Sequence, residues 1–248
     1  MVDLFVIQQL KIMKEGNMTK GVVIVSGGMD SVSLAYMLHQ QGHQLKLLSF
    51  NYGQRHSKEL AFAEQCAKDL GATWHEIDLT HVGSLLSGSA LTDDIEVPDG
   101  HYTWDTMKIT VVPNRNAIML AVATGIAVSW GANYVATGVH AGDHRIYPDC
   151  RPVFIDAMAD AMRLGTEEFS EPDFTIIAPF VNLTKANIAS IGDQAGVDFA
   201  KTWSCYKGGE IHCGTCGTCY ERREALSLAG VVDPTVYINN TEVYEEQQ

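Results

Sequence analysis

Basic residues are scarce in this chain of 248 residues: 17 lysines and arginines stand against 30 aspartates and glutamates, a formal net charge of −13. That balance denies the protein a broad electrostatic footprint for nucleic acid and favours a small substrate held in a local pocket. A secretory leader is missing as well. The first seventeen residues hold an apolar patch from Leu4 to Ile7 but carry Asp3 and have neither a basic start nor a small-residue cleavage site. They are read as an N-terminal extension, 1–17, ahead of Met18-Thr19-Lys20. There are six cysteines and no export signal, and a chain this long buries a full core without disulfide staples. No internal repeat or low-complexity tract is present. The longest uncharged stretch, Asn116 to Val139, is interrupted by Gly125, Gly131 and Asn133. It divides into a helix and a strand, which predicts a buried core helix and no membrane span. These absences leave a cytoplasmic protein with one sizeable α/β domain and a small appendage.

The run Gly21-Val22-Val23-Ile24-Val25 leads straight into Ser26-Gly27-Gly28-Met29-Asp30-Ser31. This reads as strand, loop and helix start. Paired glycines let backbone N–H groups converge on an anion, the flanking serines add hydroxyls, and the helix that follows points its positive end at the same place. A Walker loop would need a Lys-Ser/Thr pair after four intervening residues and a second glycine, and this stretch lacks it. The pattern is similar to the pyrophosphate loop of the ATP pyrophosphatase superfamily. That similarity implies attack at the α-phosphate of ATP, adenylation of a carbonyl or carboxyl oxygen, and release of pyrophosphate.

Apolar spacing organises the rest. Val32, Leu34, Ala35 and Leu38 continue a helix to about Gly42, and Leu45 to Phe50 supplies a second strand. His56 to Leu70 is helical in period, with Ala63, Cys66, Ala67 and Leu70 on one face and Gly71 as its stop, and Thr73 to Ile77 suits a third strand. From His81 to Lys108 periodicity fails, which predicts a long lid-like loop. A helix over Asn114 to Trp130, a strand over Tyr134 to Val139, a helix near Arg151 to Leu164, a strand near Thr175 to Ala178 and a helix capped by Thr184 complete the pattern. The alternation predicts a parallel, doubly wound α/β sheet over 18–202, of the adenine nucleotide alpha hydrolase-like kind, with ligands at the carboxyl ends of its strands. Residues 203–248 form a C-terminal, zinc-binding helical segment packed on it.

That segment carries Cys205, Cys213, Cys216 and Cys219, a C-x7-C-x2-C-x2-C array with glycines at 208, 209, 214 and 217. Four thiolates so spaced satisfy tetrahedral zinc in a closed, structural site. An iron–sulfur cluster is the competing occupant. His212 either replaces one thiol or is a neighbouring surface residue. Cys66 is read as packing, and Cys150 as packing or as a substrate contact or nucleophile.

Between the loop and the cysteines lie Phe50-Asn51-Tyr52-Gly53-Gln54-Arg55-His56, Pro113-Asn114-Arg115-Asn116, Thr137-Gly138-Val139 and Tyr147-Pro148-Asp149-Cys150-Arg151. In this order, from Met18 to about Pro234, the set resembles the 7-cyano-7-deazaguanine synthase family. The resemblance implies an ATP-dependent C–N ligase of queuosine biosynthesis that takes 7-carboxy-7-deazaguanine and ammonia to the nitrile. It also implies ATP, Mg²⁺ and one Zn²⁺ per subunit, and a homodimer. ATP is then expected against Val25, Ser26, Gly27, Gly28, Met29, Asp30 and Ser31, with Tyr52, Gln54, Arg55, Asp149 and Arg151 contributing from later segments. Asp30, Ser31, Arg115 and Lys185 are the expected catalytic residues: Asp30 orients the loop or a magnesium-bound water, and the two cations neutralise phosphate or the substrate carboxylate. Tyr52 and Phe50 suit stacking on a base. Two departures stand out. Family members commonly have glycine where this chain has Asn114, and His140 to Ile146 diverges. A relative that stops at the amide, a tRNA-thiolating pyrophosphate-loop enzyme, and a zinc-ribbon binding module with a degenerate nucleotide site are the alternatives.

Overall fold

The computed structural model describes residues 19–239 apart from 56, 87, 94, 102 and 104–106. The extension 1–17, Met18, His56 and residues 240–248 lie outside the described residues. Five strands, β1 (Lys20–Ile24), β2 (Gln44–Asn51), β3 (Thr73–Asp78), β4 (Tyr134–Ala136) and β5 (Thr175–Ile177), form one parallel sheet in the order β3-β2-β1-β4-β5. Helices α1 (Met29–Gln40), α2 (Glu59–Leu70), the single turn α3 (Thr80–Gly83), α4 (Arg115–Trp130), α5 (Pro152–Gly165), α6 (Lys185–Gln194) and α7 (Gly217–Leu228) connect and flank the strands.

Register explains why the central strands read as continuous apolar runs. Val23 lies opposite Leu47 and Ala136, and Val22 opposite Val135. Side chains alternate across the sheet, so Val23, Leu47 and Ala136 join a core with α1, α2, α6 and α7, while Val22, Leu48 and Val135 join a second core with α4 and α5. Both faces are covered, as a parallel sheet requires. Burying each such valine or leucine side chain stabilises the fold by about 1.5–3 kcal/mol. The chain reverses its strand order between β1 and β4, and the loops leaving these strands open a crevice at their carboxyl ends.

Helix α4 differs from the buried core helix that its sequence predicts. Met119, Leu120, Ala123, Thr124 and Ala127 pack inward on the sheet, whereas Ala121, Gly125 and Ser129 on the opposite side are exposed. The segment Lys108–Trp130 is apolar and long enough to cross a membrane by composition alone, but its inner stripe is part of the second core. The stretch after β3 is likewise not wholly irregular, since α3 occupies its first turn.

The C-terminal segment is fastened to the sheet domain through Arg222 of α7, whose side chain is fully buried. Its guanidinium donates to the Thr202 hydroxyl at 2.7 Å, the Phe199 carbonyl at 2.7 Å and the Thr235 hydroxyl at 2.9 Å. Ala225 and Leu226 of the same helix enter the first core.

Asn114 precedes α4 with φ 56° and ψ 23°. This is the left-handed region that favours glycine, and asparagine tolerates it better than other side chains. The departure from the family pattern therefore preserves the backbone. Asn114→Val should lower the unfolding free energy by about 1–2 kcal/mol, whereas Asn114→Gly should match or exceed the parent in urea denaturation. Equal midpoints for the valine variant would show that the turn does not need this conformation.

Candidate active site and metal centre

The Ser26 to Ser31 loop leaves β1 and turns into α1. Its geometry depends on Gly27, which has φ 95° and approaches α2 so closely that a Cβ would lie 2.1 Å from the Glu59 carbonyl oxygen. The serines hold the turn: the Ser31 hydroxyl donates to the Gly28 carbonyl at 3.1 Å and accepts the Ser26 N–H at 3.1 Å, and the Ser26 hydroxyl accepts the Gly28 N–H at 3.2 Å. From the far end of the chain, the Trp203 N–H donates to the Gly27 carbonyl at 2.9 Å. Gly138, after β4, lets that strand's end pass close to Ser31, where a Cβ would sit 3.3 Å from the Ser31 backbone.

The crevice beside this loop is lined by Val25, Ser26, Gly28, Met29, Asp30 and Ser31, by Phe50, Tyr52 and Glu59, by Arg115, Asn116 and Met119, and by Asp143, Tyr147, Cys150, Lys185 and Tyr206. It has two chemical ends. At the loop end, Lys185 stands in the first turn of α6, placed by a reciprocal cap in which the Thr184 hydroxyl accepts the Asn187 N–H and the Asn187 side chain accepts the Thr184 N–H. Its ammonium lies 3.1 Å from Asp30 Oδ2 and 2.7 Å from Glu221 Oε2. Burial lowers this amine's pKa, but the Asp30 and Glu221 carboxylates outweigh burial and hold it above the ordinary lysine value. His140 is buried beside them. Its Nδ1 accepts the Gly142 N–H at 3.1 Å, which leaves its proton on Nε2, 3.9 Å from Asp30 and 3.7 Å from Asp143.

At the other end, Arg115 donates to the Tyr52 hydroxyl at 3.1 Å and stands over that ring, with Tyr147, Tyr206 and Cys150 close by. Asn116 donates from its side chain to Cys150 Sγ at 3.1 Å. Burial pushes the Cys150 thiol pKa far above its ordinary value, with Asp143 and Asp149 adding to the shift. Burial thus favours the protonated thiol, whose sulfur accepts from Asn116 at the wall of the crevice.

Several expected site residues stand beside the crevice instead of lining it. Gln54 is buried beneath it, accepting the Tyr52 N–H at 2.9 Å and donating to the Phe50 carbonyl at 3.1 Å. Arg55 donates to the Asp93 carbonyl, Asp149 accepts the Asn116 N–H at 2.9 Å, and Arg151 donates to the His144 carbonyl. Glu59, His140, Asp143 and Glu221 were not singled out by motif. Each is an acidic or imidazole side chain with no local signature, and only the fold brings it to the site.

The four thiols of Cys205, Cys213, Cys216 and Cys219 are buried and all lie within 4.8 Å of one another. Cys216 and Cys219 are 3.5 Å apart and Cys213 and Cys219 are 3.9 Å apart. Tetrahedral zinc at ~2.3 Å from each sulfur needs sulfurs separated by about 3.8 Å. Backbone N–H groups of Thr215 and Cys216 point at Cys213 Sγ, at 3.4 and 3.3 Å, as expected for donors that stabilise thiolates. The donor set thus fits a closed metal site. His212 does not join it, nor is it a surface residue. It is buried against the Trp203 ring at 4.2 Å between centroids, and its Nε2 accepts the Ser204 N–H. Burial, helped by the charge of Arg222, lowers its pKa to about 4, so it stays neutral. Cys66 packs in the first core.

A parallel sheet with a glycine-serine loop at its switch point defines a doubly wound α/β fold with its candidate ligand crevice at the carboxyl ends of the strands. The sequence profile of the family described as queuosine biosynthesis protein QueC matches residues 20–230, and the chain belongs to that family. A 7-cyano-7-deazaguanine synthase from Brucella anthropi is 57% identical over 218 residues, covering 88% of this chain and 93% of the relative. One from Ruegeria sp. is 57% identical, with the same two shares. Among solved structures, the NMN synthetase of Francisella tularensis aligns with a TM-score of 0.46 at 13% identity, over 92% of this chain and 82% of that one. The NH3-dependent NAD synthetase of Campylobacter jejuni aligns with a TM-score of 0.45 at 13% identity, over 78% and 70%.

Removing one thiol from a closed site leaves the loop underdetermined. Cys213→Ser or Cys219→Ser should lose bound zinc and several kcal/mol of stability together, roughly 10 °C in melting temperature for a chain of this size. Metal analysis and calorimetry on the same preparations check this, and full metal content with near-parental melting would refute a structural metal.

Proposed function

We propose that this protein is an ATP-dependent ligase that converts 7-carboxy-7-deazaguanine and ammonia to 7-cyano-7-deazaguanine, releasing AMP and pyrophosphate. The observation that carries the reading is the two-ended crevice. It joins an anion-binding loop to an arginine among aromatic side chains, in a chain 57% identical to named 7-cyano-7-deazaguanine synthases.

A carboxylate is a poor electrophile, so its oxygen must first become a leaving group. The Gly28 and Met29 amides, the Ser26 and Ser31 hydroxyls and Lys185 would take the charge that builds on pyrophosphate as the α-phosphate is transferred. Arg115 suits the carboxylate of the substrate, and Phe50, Tyr52 and Tyr206 suit the flat deazapurine ring. Ammonia then gives the amide, and adenylation of the amide oxygen followed by loss of AMP gives the nitrile.

The crevice itself is not cationic: Asp30, Glu59 and Asp143 stand against Arg115 and Lys185. A triphosphate needs further positive charge there. Asp30 Oδ1 is buried with no hydrogen-bond partner among the described residues, which is costly for a carboxylate oxygen unless a cation meets it. Asp30, with Asp143 nearby, would hold Mg²⁺, which supplies charge neutralisation for the leaving phosphates. The four thiols would hold one structural Zn²⁺ per subunit. Six cysteines with no disulfide fit a reducing, cytoplasmic setting, and the uncharged outer face of α4 suits a homodimer contact.

Two carbon–oxygen bonds are exchanged for nitrogen, so two AMP and two pyrophosphate should appear for each nitrile, and supplied amide should be converted with one AMP. Chromatography of labelled ATP with mass spectrometry of the base checks both. ADP as the main product would end the adenylation mechanism, and amide left unchanged with excess ATP would make the protein an amide-forming relative. Asp30→Ala should keep zinc and fold while turnover falls by at least about a thousandfold. If it unfolds the chain and spares the activity of the folded remainder, Asp30 serves the helix alone.

A further inference from the structure

Helix α7 has two working faces. Cys216 stands at its N-terminus and Cys219 in its first turn, both on the metal knot. Glu221 follows two residues later, about 200° further round the helix, and so faces away from the thiols. It meets the opposite site. Its Oε2 accepts from the Lys185 ammonium at 2.7 Å, and that ammonium lies 3.1 Å from Asp30. From the other side the 140–145 turn closes on it, such that a Cβ on Gly142 would be 3.4 Å from Glu221 Oε1. The three charged side chains are largely buried, at 14% exposure for Lys185, 22% for Asp30 and 11% for Glu221.

We propose that Glu221 is a positioning residue of the phosphate site: it holds the Lys185 ammonium beside the pyrophosphate loop, and the four-thiol knot serves the phosphate chemistry by fixing the helix that carries it. A lysine stem has four rotatable bonds, and Asp30 alone ties its end at one point. A second carboxylate on a different helix gives the ammonium a fixed position. The strut from Cys219 to Glu221 is shorter than one helical turn, so the knot's position passes to the carboxylate with little slack. The inference rests on the reading of Lys185 as a ligand of the leaving phosphates.

The test uses the zinc-loaded full chain and calorimetric binding of magnesium pyrophosphate, which needs no turnover, for the parent, E221Q, K185M and the double variant. E221Q should keep one zinc per chain and near-parental melting while affinity falls by about tenfold to a hundredfold. K185M should weaken binding at least as much, and the double variant no more than K185M alone. Glu221→Asp, which keeps the charge and shortens the reach, is measured in parallel as the variant least at risk of misfolding and should retain more affinity than E221Q. In turnover, E221Q should raise KM for ATP more than an equally destabilised variant of the first core away from the crevice, such as Leu38→Val. Parental affinity in E221Q and Glu221→Asp, an equal loss from E221Q in the K185M background, or loss of zinc from E221Q would each overturn the positioning role. Parental affinity in K185M would instead sink the phosphate reading of Lys185, and the Glu221 role with it.

Discussion

The ammonium of Lys185, held between the carboxylates of Asp30 and Glu221, is the interaction on which the site depends. It joins three helices, since Asp30 lies in the first turn of α1, Lys185 in the first turn of α6 and Glu221 on α7. Removing the ammonium would leave two carboxylates uncompensated in a poorly solvated place, which costs far more than the contact gains when intact. The three helices are therefore constrained to one arrangement at the point where the anion loop opens. The packing of α6 against both α1 and α7 provides the frame.

An acidic chain with a net charge of −13 has to bind a polyanion, and the architecture concentrates the means in one place. Positive potential comes from oriented backbone N–H groups and the start of α1, and from Arg115 and Lys185. This is local recognition. Nothing in it needs a basic surface, and the acidic exterior imposes no penalty on a small ligand that reaches the crevice.

The C-terminal segment is not an appendage in the mechanical sense. Trp203 donates to the backbone of the anion loop, Arg222 ties α7 to residues 199–204 and 235, and Tyr206 stands at the aromatic end of the crevice. The four buried thiols pack with Ala90, Val97 and Trp203 in a small cluster of their own, and their donor set fits a metal that would fix its shape.

Local chemistry was enough for the sequence by itself to determine a good part of this protein. The apolar runs at Val22–Val25 and Leu45–Phe50 specify parallel strands because both faces are to be buried. Gly27 specifies a loop because only glycine fits beside α2, and four closely spaced cysteines specify a buried cluster of thiols that fits a metal. Boundaries moved little: the strand expected over Tyr134 to Val139 ends at Ala136, and Thr137 to Val139 beyond it line the crevice. The tertiary structure alone decided which polar side chains meet. Glu59, His140 with Asp143, and Glu221 come from three separate segments that no shared motif links, while Asp149 and Arg151, inside a conspicuous motif, make backbone contacts. The half-exposed α4 and the buried, neutral His212 were equally hidden. Strand, turn and ligand signals act over a few residues, whereas the charge balance of a crevice depends on chain crossings tens of residues apart, which sequence periodicity does not encode.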